Sequence, residues 1–593
     1  MRADTTFCKG QLVERLGWAA IALAALALPA LTANTYYLYV AATVGLLVIV
    51  TAGLNVLVGL TGQISLGHAG FYAIGAYTAA LLTARAGWSP LAAVTMAILL
   101  AALVGAGVAG AALRVSGPYL AMVTIAFGII VEGVLIEWVS VTGGPGGIFN
   151  IPKPGLLRSY WLILVTAALA LWLVANLRAS AWGRAFLAVR GSEVAAESLG
   201  LSAYYVRIVA FTISAAFAGA GGALFAFLNG YISPDSFTLQ TSILFLLALL
   251  FGGTGYVAGP VVGSLVFTLL PELLTSLADY RLILYGGLLM LSIYRLPAGV
   301  VGALRRIFPP GHAQAWPQTD QPPADAVPPH DRPVDSAPER PLLRVEGASL
   351  SFGGVTALVE VTLSVPARGI TAVIGPNGAG KTTLLNVLSG YYSPDAGIVR
   401  LGHEPVAGKP PYVIARLGVA RTFQTAQLFG DLTVLENVAV GVAGPRLGSP
   451  VSALLATPRA RRQERDLLQR AVALIGAMGL LEWAGRPAEA LPAGLRRRLE
   501  IIRALARRPR LLLLDEPAAG LSGSEIQELD ANLTALRDRG GPAIVLVEHH
   551  MDLVMAVSDQ ISVLDYGRVI ASGAPDVVRR HPAVIEAYLG AAA

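Results

Sequence analysis

The stretch of this chain best suited to chemistry is a glycine-rich loop that follows an apolar run at 370–374. Its residues fit the pattern G-x-x-x-x-G-K-T: Gly375, Pro376, Asn377, Gly378, Ala379, Gly380, Lys381 and Thr382, with Thr383 next. This pattern between a strand and a helix is typical of a phosphate-binding loop (P-loop). Glycines let successive backbone N–H groups wrap phosphates, and the following helix N-terminus favours the same anion. The alternative, an ordinary glycine turn, is disfavoured by the full eight-position match.

The loop predicts ATP as its ligand, with Mg²⁺ beside the phosphates. Lys381 would reach the β- and γ-phosphates, and the hydroxyl of Thr382 would bind Mg²⁺. A later apolar run at 511–514 ends in Asp515, which a buried strand would present to the same cation. Phe352 precedes two glycines and is a candidate to stack on adenine, although a lone aromatic residue is more often part of a core.

Three further polar residues are candidates for the hydrolysis step. Glu516 follows Asp515 directly and would act as a general base on the attacking water. His549 lies just after the apolar run 544–547 and would contact the γ-phosphate and orient that water. Gln424 is a candidate sensor of both Mg²⁺ and water. Taken singly, a glutamine or a histidine is a weak signal, so the P-loop earlier in the chain gives these residues their meaning.

The composition indicates that the predicted ATPase is joined to a large apolar part of the chain. The chain has 593 residues, of which 55% are hydrophobic and 13% charged, with a mean hydropathy of +0.64. A soluble ATPase is not this apolar, so part of the chain is predicted to be embedded in a membrane. The net charge of +6 fits Lys- and Arg-rich cytoplasmic loops, and no nucleic-acid partner is expected. Cys8 is the single cysteine, which excludes an intrachain disulfide and a Cys-rich zinc site.

Apolar segments recur through the first half of the chain. The first, 16–31, follows three basic residues and could be a cleaved signal peptide, but the spans close behind it favour a first membrane helix with a cytoplasmic N-terminus. Eight to ten crossings are expected, and an even number returns the chain to the cytoplasm. The remaining spans are 36–58, 71–82, 91–113, 119–139, 161–177, 206–228, 243–270 (with a break predicted at Gly252-Gly253) and 282–293.

Polar residues interrupt two of these spans. Asn55, Gln63, Ser65 and His68 lie in a glycine-rich stretch. Such residues beside a broken helix can line a substrate path, or they can hold helices together through single hydrogen bonds. Glu132 lies deep in an apolar run, where a carboxylate is expected to be paired, protonated or facing water.

A charged, amphipathic loop at 182–201 separates two apolar spans. Its arginines indicate a cytoplasmic position, and the pattern from Glu193 to Gly200 predicts a short surface helix ending at glycine. That helix could dock into a groove of an ATPase, or it could be a solvated loop helix.

A proline-rich stretch at 308–341 divides the chain. It has too few apolar residues to form a core, so it is predicted to be an extended linker. The predicted domains are therefore a membrane domain at 1–307 and a soluble domain at 342–593.

Both halves resemble one family of ATP-binding cassette (ABC) importers, the systems that take up branched-chain amino acids. In the soluble half the resemblance is carried by the P-loop, by Asp515-Glu516 and His549, and by Phe352-Gly-Gly, Arg421-Thr-Phe-Gln and Leu499-Glu-Ile. In the first half it is carried by 53–71, 117–121, 142–148 and the loop 182–201. Two subunits that are usually separate therefore look fused here.

The resemblance implies a fold, a function and partners. The fold would be a polytopic helical membrane domain of about eight to ten helices followed by an α/β P-loop ATPase domain. The function would be ATP-driven import of branched-chain or hydrophobic amino acids across the bacterial inner membrane, with a cytoplasmic ATPase domain. A second permease subunit, a second ATPase subunit and a periplasmic binding protein would complete it. The loop 182–201 would be the coupling helix. Alternatives are an importer of urea or short amides, an exporter, and an ATP-regulated signalling or gating protein that transports nothing.

The sequence departs from the family at its signature loop. Family ATPases carry a serine and a glycine there that contact the γ-phosphate bound by the opposite subunit. Here Pro492 replaces the serine, while Gly494 is retained. Because proline has no hydroxyl and no backbone N–H, we expect the ATP site that this signature completes to be weakened. In the membrane half, Ile129 and Glu132 stand where family members often carry Glu and Arg, so those roles do not transfer.

Overall fold

The chain divides into two compact units that do not follow the sequence order strictly. The computed structural model describes residues 3–32, 34–113, 118–273, 280–307 and 341–589. Among these residues, one unit comprises 3–186, 204–307 and 449–457, and the other comprises 187–203, 341–448 and 458–589. The predicted linker 308–341 lies outside the described residues except for Pro341. The predicted domain boundaries at 307 and 342 stay predictions.

The chain before the linker is helical. Its helices are α1 (Ala3–Leu31), α2 (Thr35–Leu54), α3 (His68–Ala84), α4 (Pro90–Ala112), α5 (Pro118–Glu137), α6 (Val139–Thr142), α7 (Leu156–Arg178), α8 (Ala181–Gly191), α9 (Glu193–Ser198), α10 (Ala203–Asn229), α11 (Leu239–Gly252), α12 (Gly259–Leu273), α13 (Arg281–Arg295) and α14 (Gly299–Ile307). A π-helical turn, Asn55–Leu60, continues α2. Helix α9 belongs to the second unit.

Six helical segments in the described residues are long and apolar enough to cross a membrane. They are Thr35–Leu60, Pro90–Ala112, Tyr119–Glu137, Leu156–Arg178, Ala203–Asn229 and Pro234–Gly252. Gly17–Leu31 and Gly259–Glu272 are apolar but shorter. Crossings beyond six would have to use such shorter helices, so the expected total of eight to ten stays a prediction.

Small residues let the helices of the first unit approach closely. Every fourth residue of α4 from Ala93 to Ala109 is buried. Gly219 of α10 lies against Ala97 and Ala101 of α4, with no room for a side chain. Since lipid tails compete with apolar packing, close contact between small residues is a main source of helix association in a membrane.

Two breaks interrupt the apolar helices. The chain runs irregularly from the end of the π-helical turn at Leu60 to the start of α3 at His68. It breaks again between the end of α11 at Gly252 and the start of α12 at Gly259, which confirms the predicted interruption at Gly252-Gly253. Irregular backbone at membrane depth is tolerated only where protein or a water-filled cavity surrounds it.

The second unit contains two sheets. Its strands are β1 (Leu343–Phe352), β2 (Val355–Val365), β3 (Ile370–Ile374), β4 (Ala396–Leu401), β5 (Glu404–Pro405), β6 (Val419–Arg421), β7 (Leu511–Asp515), β8 (Ala543–Val547), β9 (Gln560–Asp565) and β10 (Arg568–Gly573). One sheet has the order β2-β1-β4-β5 and is antiparallel. The other has the order β10-β9-β3-β8-β7-β6 and is parallel except for β10 at its edge.

Helices follow the strands of the parallel sheet. They are α15 (Lys381–Ser389), α16 (Pro411–Leu417), α17 (Val434–Ala443), α18 (Pro450–Leu454), α19 (Pro458–Ala477), α20 (Ala493–Leu505), α21 (Gly523–Asp538), α22 (Met551–Val557), α23 (Pro575–Arg579) and α24 (Pro582–Leu589). Helix α18 lies in the first unit.

The central strands are buried on both faces. Leu511 and Leu513 of β7 belong to the core cluster that contains Leu385 of α15. Leu512 and Leu514 belong to the cluster on the opposite face. A strand covered on both sides reads as a continuous apolar run, which is why 511–514 and 544–547 could be recognised as strands from sequence.

Candidate ATP-hydrolysis site

The order of the parallel sheet brings the predicted site residues to one edge. Strands β3, β8, β7 and β6 are neighbours in that order. The P-loop follows β3, His549 lies two residues after β8, Asp515 and Glu516 lie at the end of β7, and Gln424 lies three residues after β6. Because carboxyl ends of parallel strands meet at the same edge of a sheet, residues far apart in sequence converge there.

The P-loop has the backbone of a phosphate cradle. Gly375, Gly378 and Gly380 have φ angles of 151°, 83° and 98°, a region that favours glycine. Helix α15 begins at Lys381, directly after this turn. The Lys381 ammonium donates hydrogen bonds to the carbonyls of Gly375 and Pro376, both at 2.8 Å. Burial lowers the pKa of Lys381, while the nearby carboxylates of Glu516 and Asp515 oppose that shift.

The other loop positions differ in exposure. Asn377, Gly378 and Thr382 are exposed, Thr383 is half-buried and Ala379 is buried. Thr382 is therefore exposed in the first turn of α15, where its hydroxyl would be available as a ligand of Mg²⁺.

The carboxylate of Glu516 contacts two residues that the sequence identified separately, Gln424 and His549. One carboxylate oxygen, Oε2, accepts a hydrogen bond from Gln424 Nε2 at 3.0 Å. The other, Oε1, is 3.0 Å from His549 Nε2. The φ angle of Glu516 is 46°, and its N–H donates to the carbonyl of Val547 at 2.8 Å. A non-glycine residue held in this conformation costs about 1–3 kcal/mol, and such strain clusters at functional sites.

Asp515 offers a buried carboxylate oxygen to a cation. Its Oδ2 pairs with Arg421 at 3.1 Å, and Arg421 also donates to Asn386 at 2.6 Å and Ser389 at 2.7 Å in α15. Within the described chain, Asp515 Oδ1 is buried without a hydrogen-bond partner. Burial raises the pKa of Asp515, while Arg421 opposes the rise. An unpaired, hard oxygen beside the P-loop fits Mg²⁺, which prefers oxygen ligands.

Two predicted ATP contacts lie on other elements. Phe352 ends β1, is 45% exposed, and its ring packs edge-on against Tyr392 at 5.0 Å between centroids. Gly494 lies in the first turn of α20, where a side chain would collide with Glu525. Pro492 precedes α20 as its N-cap residue and supplies no side-chain cap. The roles of Phe352 and Gly494 stay predictions.

Comparison with known proteins accounts for both halves. A family model described as "Branched-chain amino acid transport system / permease component" matches residues 36–293. A model described as "ABC transporter" matches 358–519, and one described as "Branched-chain amino acid ATP-binding cassette transporter" matches 568–593.

Individual relatives agree with these models. The branched-chain amino acid transport ATP-binding protein LivG of Escherichia coli K12 is 45% identical over 253 residues, covering 43% of this chain and 99% of LivG. The permease protein LivM of the same organism is 36% identical over 289 residues, covering 44% of this chain and 68% of LivM. The chain belongs to the branched-chain amino acid ABC transporter family. It is a membrane protein with a permease domain and an ATP-hydrolysing domain whose activity is coupled to transport.

The structure of this transporter adds residues that the sequence analysis missed. Arg497 and Glu500 of α20 form a buried ion pair at 2.9 Å. Arg497 also donates to the carbonyls of Phe423, Gln424 and Glu516. Glu500 accepts from the N–H of Phe423 at 3.2 Å. Helix α20, which contains Gly494 of the predicted signature loop, therefore clamps the backbone that carries both Gln424 and Glu516. The only sequence signal was an i, i+3 charge pair, which is ordinarily a surface feature.

Glu548 was also missed. Its buried carboxylate accepts from the N–H groups of Ala518 at 2.6 Å, His549 at 2.8 Å and His550 at 3.2 Å. A charged acceptor with three backbone donors holds the segment after Glu516 and the segment of His549 together. Glu548 thereby positions His549.

The predicted helix in the loop 182–201 of the transporter is confirmed as α9. Ser192 caps its N-terminus by accepting from the N–H of Ala195 at 3.2 Å, and donates to Gln427 Oε1 at 3.2 Å. The hydroxyl of Tyr391 donates to the carbonyl of Val194 at 2.7 Å. Helix α9 is thus packed within the second unit and is not a free, solvated helix.

The C-terminal end of α9 is held by two arginines. Arg416 donates to the carbonyl of Gly200 at 3.0 Å, and Arg507 donates to the carbonyl of Leu199. Cations favour the carbonyl-rich end of a helix. Burial, together with the neighbouring charges of Arg416 and Arg446, lowers the pKa of Arg507 to about 10.

Proposed function

We propose that this chain supplies one permease domain and one ATPase domain to an importer of branched-chain amino acids. The observation that carries the proposal is the convergence of Gln424 and His549 on the carboxylate of Glu516, in a chain that belongs to this family. Fusion would place the membrane path and the hydrolysis site on the same polypeptide.

The ATPase residues divide the chemistry among themselves. The P-loop N–H groups and Lys381 bind the phosphates, and Glu516 accepts a proton from the attacking water. Thr382, Gln424 and Asp515 would hold Mg²⁺, and a cation there would supply neutralisation of the phosphate charge. Each carboxylate oxygen of Glu516 has one neighbour, Gln424 or His549, and keeps a lone pair that can accept a hydrogen bond from the attacking water.

The hydrolysis site needs a second ATPase subunit. Family members complete each ATP site with a signature from the opposite subunit, and one chain carries a single P-loop and a single signature. The signature of this chain lacks the serine at Pro492, so the site it completes hydrolyses slowly. We infer a heterodimer, in which the P-loop of this chain works with an intact partner signature.

Helix α9 is the coupling element of the proposed importer. It contacts Gln427, three residues from Gln424, and the two arginines hold its other end. Movement of the Gln424 segment when ATP binds would therefore pull on α9. Closure of the two ATPase domains then reorients the membrane helices, and hydrolysis resets them.

The chain would lie in the bacterial inner membrane with its ATPase domain in the cytoplasm, where ATP is available. A second permease subunit would complete the path, and a periplasmic binding protein would deliver the amino acid.

Uptake by the intact assembly tests the proposal. An affinity tag on this chain would isolate the assembly from membranes of its source, and mass spectrometry would identify the co-purifying subunits. Reconstituted vesicles loaded with ATP, with the periplasmic binding protein supplied outside, should accumulate radiolabelled leucine, isoleucine and valine in preference to urea and acetamide. Preferential urea or amide uptake would instead establish the alternative importer. ATP hydrolysis without uptake of any solute would support a signalling or gating protein.

A further inference from the structure

Side-chain hydroxyl groups hydrogen-bond the residues at the first helix break of the permease domain, between Leu60 and His68. His68 lies at the start of α3 and is fully buried, with Nδ1 2.8 Å from Ser65 Oγ and Nε2 2.7 Å from Ser214 Oγ of α10. The N–H of Leu66 donates to Thr124 Oγ1 at 3.1 Å. Both ring nitrogens of His68 are therefore engaged in holding helices together. Of the two roles that the sequence left open for His68, the structural one agrees with this geometry.

Asn55 is engaged in the same way. Its Oδ1 accepts from the N–H of Gly255 at 2.7 Å, and its Nδ2 donates to the carbonyl of Tyr256 at 2.9 Å. Gly255 and Tyr256 lie in the second break, between α11 and α12. The amide of Asn55 thus ties the two broken segments of the membrane unit to each other.

Gln63 differs from these neighbours. Its side chain is 8% exposed, yet Oε1 is buried with no hydrogen-bond partner, and no bond to its Nε2 is found in the part of the chain that the structure describes. Its sequence neighbours Gly62 and Ile64 are exposed. A buried amide without partners is unfavourable, and in a native protein it asks for a functional explanation.

We propose that Gln63 contacts the transported solute, with its Oε1 accepting a hydrogen bond from the ammonium group of an amino acid. This inference rests on the proposed function and names a solute contact for it. An amide oxygen is a good acceptor for an ammonium, and exposed Ile64 next to it offers an apolar surface to a branched side chain. The irregular backbone at 61–67 lets the solute reach Gln63 by a local shift, as at the broken helices of other transporters.

A pair of isosteric substitutions separates a solute contact from a structural amide. Gln63→Met removes an unpaired acceptor, so the thermal midpoint of the purified assembly should stay the same or rise. The KM for leucine uptake should increase at least about tenfold, as expected for loss of a hydrogen bond to a charged group. Asn55→Leu, the matched control, breaks two formed hydrogen bonds and should lower the thermal midpoint.

A second readout identifies the group that Gln63 recognises. 4-Methylpentanoate has the side chain and carboxylate of leucine but no ammonium. It should compete poorly with leucine in the wild type and comparatively well in Gln63→Met. Gln63→Glu keeps an acceptor and should retain a KM for leucine closer to the wild type, so it is the conservative rescue against which Gln63→Met is compared.

Three results would overturn the proposal. One is a lowered thermal midpoint in Gln63→Met with an unchanged KM, which makes the amide structural. Another is loss of a co-purifying subunit, which makes Gln63 a subunit contact. The third is unchanged competition by 4-methylpentanoate. If the wild type imports urea and no amino acid, the proposed function and its ammonium contact both fail. If the wild type imports leucine and Gln63→Met does so with the same KM, only the inference about Gln63 fails.

Discussion

Glu516 combines backbone strain with a fully engaged carboxylate. Its φ angle is 46°, and Gln424 and His549 each contact one of its carboxylate oxygens. These two contacts hold the carboxylate of the proposed general base in one orientation.

Pro492 stands where the family resemblance predicts the serine of the signature loop. It is the N-cap of α20 and gives no side-chain hydrogen bond to the first turn. Pro492→Ser should supply that cap and stabilise the ATPase domain by about 1 kcal/mol. The same change restores a hydroxyl to the signature, so ATP hydrolysis by the assembly should rise. Thermal unfolding and steady-state phosphate release measure the two effects.

The control for this prediction is Pro575→Ser. Pro575 lies at the first position of α23, where proline is favourable, so this change should bring neither gain. Equal hydrolysis rates in Pro492→Ser and the wild type would show that the signature is not the weak point of its site.

At the scale of elements, α20 is the helix that contacts the backbone of both Gln424 and Glu516. Arg497 and Glu500 bind the backbone on both sides of the Gln424–Glu516 contact. A shift of α20 on ATP-driven closure would thus move both residues together. Movement of α20 would therefore change the position of Glu516, the proposed general base.

Arg497→Met tests the clamp. It leaves the carboxylate of Glu500 buried without its charge partner, which should destabilise the ATPase domain by about 3–5 kcal/mol. ATP hydrolysis should fall with it, because Gln424 and Glu516 lose their common support. Arg498→Ala is the matched control: Arg498 pairs with the half-exposed Glu528, so its loss should cost about 1 kcal/mol or less. Similar thermal midpoints for the two variants would contradict the clamp.

Arg507→Ala tests the docking of α9. It removes the bonds to the carbonyls of Leu199 and Ala415 and leaves the P-loop and Glu516 in place. ATP hydrolysis by the assembly should change little, whereas leucine uptake per ATP should fall about tenfold. The exposed Arg579→Ala serves as the control and should alter neither quantity. If uptake and hydrolysis fell in the same proportion, Arg507 would not be part of the coupling.

The sequence predicts the strands and site residues that are marked by a pattern within one short segment of the chain. The P-loop, Asp515-Glu516 and His549 each follow a continuous apolar run, so the strands and the residues at their ends were recognised together. The contact of Glu548 with Ala518 joins two such ends and leaves no mark in either segment. The antiparallel sheet was not foreseen, because its strands are irregularly buried and interrupted by register shifts.

In the membrane half, composition predicts apolar helices but not the roles of their polar residues. Gln63 and His68 are both polar residues within five positions of each other in a glycine-rich stretch. His68 is hydrogen-bonded because Ser214 reaches it from α10, 146 residues away, while no described residue hydrogen-bonds the side chain of Gln63. Partners this distant in sequence follow from tertiary packing alone.

At the scale of the whole molecule, one chain holds one permease domain and one ATPase domain, and the importer proposed above would contain two of each. Residues 187–203 belong to the unit that contains the ATPase residues, and residues 449–457 belong to the unit that contains the membrane helices. A chain built this way fixes which permease is joined to which ATPase. It also makes unequal ATP sites a natural outcome when the partner chain carries an intact signature.

The central claim is that hydrolysis at Glu516 drives amino-acid uptake through the assembly that contains this chain. The direct measurement is accumulation of radiolabelled leucine in vesicles loaded with ATP and Mg²⁺, for the wild type and Glu516→Gln. The wild type should accumulate leucine, while Glu516→Gln should bind ATP with at least wild-type affinity and accumulate none, because its amide cannot accept the proton from water. Leucine accumulation by Glu516→Gln at the wild-type rate would contradict the account.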